Sequence, residues 1–407
     1  MKKINLFTRS YPFGNTENFL ISEIKIAHKL NLSLRIVPNI YEKNIRNCPF
    51  EIERGLMKSS FYLNIRIFLS LLISKWLWGI PFQKKPPKSF YHYFCAIKYL
   101  YAAFRVKHFL ESSKDVFSKN DIYYSYWFNY ICLGLVLAKI DNDYFKDIEI
   151  FSRGHGYDVF TETRGLYIPY RELMLSNVSK IFSVSEEGRK YLCQNYPQYE
   201  SKIDISRLGV FSQRDKLGKR EMNNSKIIVV SCSSVIQLKR VKLIYTSLCN
   251  YSLYNENVTI DWYHFGNGPL FFDLQKYVSE HKQKYINVHL LGQQPNETVI
   301  SYYLKLVPHV FINVSLSEGI PVSIMEAISL GIPIIATNVG GTKEIVNNDT
   351  GCLLDVNFTM DTFKNALDFI LSDSSLHERS YSFFQKYYDA EINYMDFYDK
   401  IGIHDWN

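Results

Sequence analysis

Apolar positions in this chain fall into short β-branched or aromatic runs, separated by longer stretches with helical spacing. Lys3–Thr8, Ser33–Val37, Ile122–Ser125, Glu149–Ser152 and Lys180–Val184 predict strands in the first half. One helix is predicted after the first strand, through about Leu30, and another around Tyr167–Asn177 between the last two. The rhythm breaks at the polar stretch Val210–Ser225 (VFSQRDKLGKREMNNS) and then restarts. Lys226–Ser231, Val258–Phe265, Asn287–Leu291, His309–Val314 and Pro333–Thr337 predict the second set of strands. Such alternation implies parallel sheets joined by right-handed crossovers. The expected fold is α/β, with two Rossmann-like doubly wound parallel-sheet domains facing across a cleft. The expected boundaries are 1–210 and 211–385, with a helical segment 386–407 crossing back to the first domain. In doubly wound sheets ligands bind beyond the carboxyl ends of the strands.

Composition agrees with a folded protein of this size. The chain has 407 residues, 47% hydrophobic and 21% charged, which suits two domains with separate cores. Its longest uncharged run, Ile122–Ala138, is 17 residues long and contains Ser125 and Asn129. A bilayer span needs roughly 20 apolar residues. Only Ile4–Thr8 separates Lys3 from Arg9, too short for the apolar core of a signal peptide. The expectation is a cytoplasmic protein. Seven cysteines without a C-x-x-C pair read as reduced thiols, and neither cysteine pairs nor H-E-x-x-H suggest a metal site.

Charge changes the picture in one respect. Residues 1–110 hold 18 Lys and Arg against 5 Asp and Glu, a net +13, whereas the remainder holds 29 against 35, a net −6. A basic, aromatic-rich first quarter suggests a negatively charged partner. No helix-turn-helix, zinc-finger or RNP-type signature points to nucleic acid. Phe61–Trp78 is apolar apart from Arg66, Lys75 and a few polar positions, and Lys84, Lys85 and Lys88 follow. It reads either as a basic amphipathic helix on an anionic membrane, with Trp76 and Trp78 at headgroup level, or as a helix buried against a sheet.

The candidate chemistry concentrates in Ser317–Val346 (SEGIPVSIMEAISLGIPIIATNVGGTKEIV). Glu318 follows a predicted strand in a loop ending in Gly319 and Pro321, and proline suits the first turn of a helix. The N–H groups of Ile320, Val322 and Ser323 are then available to a diphosphate. Glu326 falls about one turn into that helix. Two carboxylates so placed would bracket a sugar nucleotide, Glu318 reaching sugar hydroxyls and Glu326 accepting from the ribose.

This Glu-x7-Glu arrangement resembles the signature of glycosyltransferase family 4, retaining enzymes of the GT-B fold, and the resemblance runs over nearly the whole chain. In S-C-S-S-V-I-Q-L-K-R-V, Lys239 resembles the family's phosphate-binding lysine. Gly266-Asn267-Gly268-Pro269 is similar to its G-x-G-P turn, and Leu291-Gly292-Gln293 lies where backbone groups receive the nucleobase. Val339-Gly340-Gly341 with Glu344-Ile345-Val346 resembles its G-G-x-x-E ending. Arg153-Gly154-His155-Gly156-Tyr157-Asp158 resembles the H-G-x-D element, whose histidine lines the donor-sugar pocket. Ser185-Glu186 and Arg207–Val210 match further landmarks. Tyr11-Pro12-Phe13-Gly14 with Glu17 and Phe19 resembles the first-strand loop, in which Gly14 lets backbone approach the phosphates. Ser234 stands where many members carry an arginine, so Arg240 or a first-domain cation would supply the second positive charge.

The resemblance implies transfer of a sugar, with retention and without a metal or other cofactor, from a UDP- or GDP-linked donor to a glycan or lipid-linked glycan. The first domain would bind the acceptor, its loops 40–60 and 80–120 choosing it, and the second domain would bind the nucleotide sugar. Glu318 and His155 would be the catalytic groups. Lys239, Arg240, Glu326, the segment 319–323, Gly14, Gly266 and Gln293 would hold the donor. A cytosolic chain of this kind suits capsule, O-antigen or exopolysaccharide assembly at the inner face of a bacterial membrane. A non-catalytic subunit of the same fold and a sugar-nucleotide epimerase are the alternatives. Asp141-Asn142-Asp143 has D-x-D spacing but reads as a solvated turn, and no G-x-G-x-x-G follows the first strand, which argues against a dinucleotide enzyme.

Overall fold

The computed structural model describes residues 2–14, 16–160, 167–218, 225–255 and 258–404. Residues 219–224 of the polar break and the last three of the C-terminal segment lie outside them. The chain forms two compact units, Met1–Arg207 with Tyr394–Asn407, and Leu208–Asn393. The division therefore falls three residues before 210, and the chain re-enters the first unit at Tyr394 rather than 386.

The first unit is built on seven parallel strands: β1 (Ile4–Thr8), β2 (Leu34–Pro38), β3 (Glu51–Ile52), β4 (Ile122–Ser125), β5 (Glu149–Gly154), β6 (Lys180–Ser183) and β7 (Ile203–Ile205). Their order is β3-β2-β1-β4-β5-β6-β7, so winding reverses between β1 and β4. All residues of β1, β2 and β4 are buried, polar Asn5, Thr8, Arg35 and Ser125 included, as in a sheet covered on both faces. β3 and β7 escape the periodicity because two and three residues are too short to show it.

Between β3 and β4 the structure departs from the sequence reading. Phe61–Trp78 forms two helices, Phe61–Leu72 and Lys75–Trp78. Ser74 ends the first and caps the second, its hydroxyl accepting from the Leu77 N–H. The stretch expected as loop 80–120 holds a 23-residue helix, Phe90–Ser112. Its apolar residues point both inward and outward, so no single stripe marks it. It packs against helix Tyr130–Asp141, where Gly134 admits Val106.

The second unit has six parallel strands: β8 (Lys226–Cys232), β9 (Thr259–Phe265), β10 (Ile286–Leu290), β11 (Val310–Asn313), β12 (Ile334–Thr337) and β13 (Gly351–Leu354). Their order, β10-β9-β8-β11-β12-β13, reverses between β8 and β11. Val229, Trp262, Val310 and Ile335 lie in its core. Among the described residues no helix is long and apolar enough to cross a membrane.

Candidate functional site

The second unit's switch point lies between β8 and β11, and at such a point loops leaving adjacent strands diverge and open a crevice at their carboxyl ends. The loop after β8 carries Lys239 and the loop after β11 carries Glu318. The Lys239 Nζ donates to Glu318 Oε1 at 2.6 Å. Asn313, the last residue of β11, donates to the same oxygen from Nδ2 at 3.0 Å, and Ser315 Oγ lies 2.7 Å from it. Sequence reasoning missed both; the legible signal was two polar residues at the carboxyl end of an otherwise apolar strand. The Glu318 side chain is only 9% exposed and that of Lys239 21%, so solvent screens the pair weakly.

The paired glycines after β12 support this loop from below. Gly340 has φ +50°, and a Cβ there would fall on the Glu318 carbonyl oxygen. The Gly341 N–H donates to the Gly319 carbonyl at 2.8 Å. Pro321 stands just before helix Val322–Ile328 rather than within its first turn, and its carbonyl accepts from the N–H groups of Ile324 and Met325. Val322 and Ser323 then begin the helix with no intrahelical acceptor for their N–H groups.

Glu326 lies on this short helix and accepts from Asn296 Nδ2 at 2.6 Å. Asn296 opens helix Asn296–Leu306, just after the 291–293 loop, so it brings that loop to Glu326. Burial pushes the Glu326 carboxyl up to about 7, with the Asn296 bond opposing it. Gln293 is exposed, and Gly292 beside it has open space around its α-carbon. Gly266 donates to the Gly292 carbonyl at 2.8 Å, tying the loops after β9 and β10 together.

Arg240 does different work from that expected. Its Nε donates to the Val314 carbonyl at 2.6 Å and its Nη1 to the Val356 carbonyl at 2.7 Å. Nη2 is buried without a partner. The guanidinium braces the loops after β11 and β13 instead of standing free for a phosphate.

In the first unit, the loop after β5 holds His155. Its ring lies 4.5 Å from Trp127, 4.9 Å from Tyr126 and 5.8 Å from Phe19, centroid to centroid. Nε2 is 3.2 Å from the Tyr126 carbonyl, an acceptor, so Nε2 carries the proton. Burial, with Arg153 adding to it, pulls the imidazole down to about 3, so it is neutral near pH 7. Asp158 of the same element binds the His155 N–H at 2.6 Å and the Phe128 N–H at 2.7 Å, joining the loops after β5 and β4. Beneath them, Arg153 meets Glu23 at 3.5 Å with both side chains fully buried, and donates to Tyr124 Oη and the Ser206 carbonyl.

The first-strand loop departs from the expectation placed on it. Glu17 accepts from three successive N–H groups, those of Arg9, Ser10 and Tyr11, and from Trp127 Nε1 at 2.6 Å. The anion held by this backbone is the chain's own carboxylate. Gly14 has φ +69°, and a Cβ there would meet the Glu42 side chain. Asp141 ends helix Tyr130–Asp141, its carboxylate accepting from Lys107 at 2.7 Å and from Trp76 Nε1 at 2.8 Å, and Asp143 lies exposed in the turn that follows.

Two Rossmann-like units in one chain, the second with an acidic and a basic side chain meeting at its switch point, are the GT-B class of fold. Residues 212–384 match the family of glycosyl transferases group 1. The whole chain shares its fold with the lipopolysaccharide outer core galactosyltransferase WaaB in its apo form. The TM-score is 0.67 at 15% identity, covering 98% of this chain and 99% of that one. The GPI3 subunit of phosphatidylinositol N-acetylglucosaminyltransferase from Saccharomyces cerevisiae is 26% identical over 182 residues, covering 43% of this chain and 39% of that protein. A UDP-Gal:alpha-D-GlcNAc-diphosphoundecaprenol alpha-1,3-galactosyltransferase of Escherichia coli is 41% identical over 69 residues, covering 17% and 18%. The chain thus spans less than half of either relative.

Proposed function

We propose that this protein transfers a sugar, with retention of anomeric configuration and without a metal, from a UDP- or GDP-linked donor to a glycan or lipid-linked glycan. The observation that carries this reading is the meeting of Lys239 and Glu318 at the switch point of the unit that matches the family of glycosyl transferases group 1. Cleaving a sugar–diphosphate bond builds negative charge on the leaving phosphate and positive charge at the anomeric carbon. The Lys239 ammonium and the N–H groups of Val322 and Ser323 suit the first charge, and the Glu318 carboxylate suits the second. Glu326, beside the 291–293 loop, suits a ribose diol. The acceptor hydroxyl attacks from the leaving-group face, and the departing phosphate oxygen takes its proton. His155, neutral and donating from Nε2 to backbone, is suited to contact sugar hydroxyls rather than to exchange protons. Asp158 is a positioning residue for it.

The E. coli relative acts on UDP-galactose and a diphosphoundecaprenol-linked sugar, and WaaB is a lipopolysaccharide galactosyltransferase. Both support surface-polysaccharide assembly in bacteria, with a lipid-linked acceptor. The test is a thermal-shift screen of UDP- and GDP-sugars. Incubating the stabilising donor with lipid-linked acceptors in EDTA follows, with the new linkage read by NMR. An α-linked product from an α-linked donor is expected. An inverted product, a strict need for Mn²⁺, or release of an epimerised sugar nucleotide without acceptor would each defeat part of the reading.

A further inference from the structure

The segment between β3 and β4 leaves an unusual amount of apolar surface in water. Phe61, Tyr62, Ile73, Trp78, Phe82 and Phe90 are each between 67% and 89% exposed. In helix Phe61–Leu72, Ile67 and Leu71 are buried, while Phe61, Ile65, Phe68 and Leu72 form an outward stripe at helical spacing. That helix packs on helix Phe90–Ser112, whose first turns expose Phe90, Tyr91, Phe94 and Ile97, and Lys75–Trp78 contacts both. Soluble monomers rarely leave a contiguous apolar face of this extent uncovered.

Charge identifies the occupant. Residues 54–110 contain ten Lys and Arg and no Asp or Glu. Some of these cations are engaged: Lys75 and Lys107 with Asp141 at 3.3 and 2.7 Å, and Lys84 with Glu172 at 3.6 Å. Lys58, Arg66, Lys88 and Lys98 are exposed and form no ion pair with any described acid. A second copy meeting this face symmetrically would oppose cation to cation, whereas an anionic bilayer offers both an acyl layer and a negative surface. We propose that this face lies in the headgroup–acyl boundary of an anionic membrane. The Phe61–Leu72 stripe and Phe90 are immersed, Trp78 sits at headgroup level, and Lys58, Arg66, Lys88 and Lys98 bind lipid phosphates. This surface would hold the enzyme where a lipid-linked acceptor is found.

The test uses the full chain and phosphatidylcholine vesicles with and without phosphatidylglycerol, read by cosedimentation across a salt series. Two variants separate the terms: Phe61→Ser/Phe68→Ser/Phe90→Ser, and Arg66→Gln/Lys88→Gln/Lys98→Gln. At about fivefold per cation, the charge variant should bind anionic vesicles about 100-fold more weakly. The serine variant should lose partitioning onto both kinds of vesicle. Brominated lipid should quench wild-type fluorescence more than that of Trp78→Phe. Far-UV circular dichroism and urea unfolding report that each variant is folded. Equal partitioning of all three proteins would overturn the proposal, as would a wild-type dimer that the serine variant converts to monomer. No sugar transfer is measured, so these outcomes are independent of the catalytic reading.

Discussion

Replacing Lys239 by methionine removes the ammonium while keeping most of the stem, and so isolates one charge at the candidate site. The Nζ–Oε1 distance of 2.6 Å corresponds to about 6 kcal/mol of gross Coulomb attraction at an effective dielectric near 20, most of it offset by desolvation. Breaking a fully buried pair on one side costs about 3–5 kcal/mol. With the two side chains 21% and 9% exposed, the expected loss is roughly 2–3 kcal/mol of the second unit's stability, read from urea unfolding. A charge-assisted contact to a diphosphate is worth about 1.5–3 kcal/mol, so affinity for UDP or GDP by titration calorimetry should fall about 10- to 100-fold. Glu318→Gln should behave differently. It frees the ammonium from its carboxylate, so nucleotide binding should hold or tighten, while the extra affinity of the nucleotide sugar over the nucleotide is lost. Wild-type nucleotide affinity in Lys239→Met, or weakened nucleotide binding in Glu318→Gln, would refute the division of roles.

Three further outcomes follow from the buried charges. Glu326 is raised to about 7 by burial, and a ribose diol favours its ionised form, so nucleotide affinity should fall toward tenfold per pH unit below 7, with proton release on binding. Because this carboxyl is raised in the folded state, its contribution to stability is greatest in acid and declines as pH rises from the carboxylate range through about 7. Glu326→Gln should flatten both profiles, and calorimetry in buffers of different ionisation enthalpy checks the proton count. His155, lowered to about 3, favours the folded state above its unfolded pKa of about 6.5, and that contribution is lost as pH falls from there toward 3. Its titration should leave no limb in the pH–rate profile near neutrality, and His155→Gln should abolish transfer while sparing the nucleotide-induced thermal shift. Arg153→Met strands the Glu23 carboxylate in a fully buried site and should cost about 3–5 kcal/mol, whereas Arg153→Met/Glu23→Leu should recover much of it in urea unfolding.

Much of the architecture could be read along the chain. β1, β4, β8 and β12 are mostly apolar runs rich in β-branched or aromatic residues, with few polar positions, and such runs mark strands covered on both faces. β3 and β7 could not be read, being two and three residues long, and β13 was masked by its start on Gly351 directly after a polar turn. Helix Phe90–Ser112 was hidden for the opposite reason, since apolar residues on both its faces erase the helical stripe. At the candidate site, Glu318, Glu326 and Lys239 stood out by residue type and spacing. Asn313, Ser315 and Asn296, which orient them, are ordinary polar residues until the fold brings them together.

Local chemistry therefore determined the alternation of strands and helices, the loop beginning at Glu318 and the uneven distribution of charge, because each depends on neighbours within a few residues. Tertiary structure decided which groups are spent and which are free. Arg240 lies next to Lys239 in the chain, yet its guanidinium is held by carbonyls 74 and 116 residues away. Glu17 fills its own loop's N–H groups, and the aromatic face of residues 61–97 remains uncovered. Electrostatic pairing and burial depend on distance through space, which the order of residues along the chain does not state.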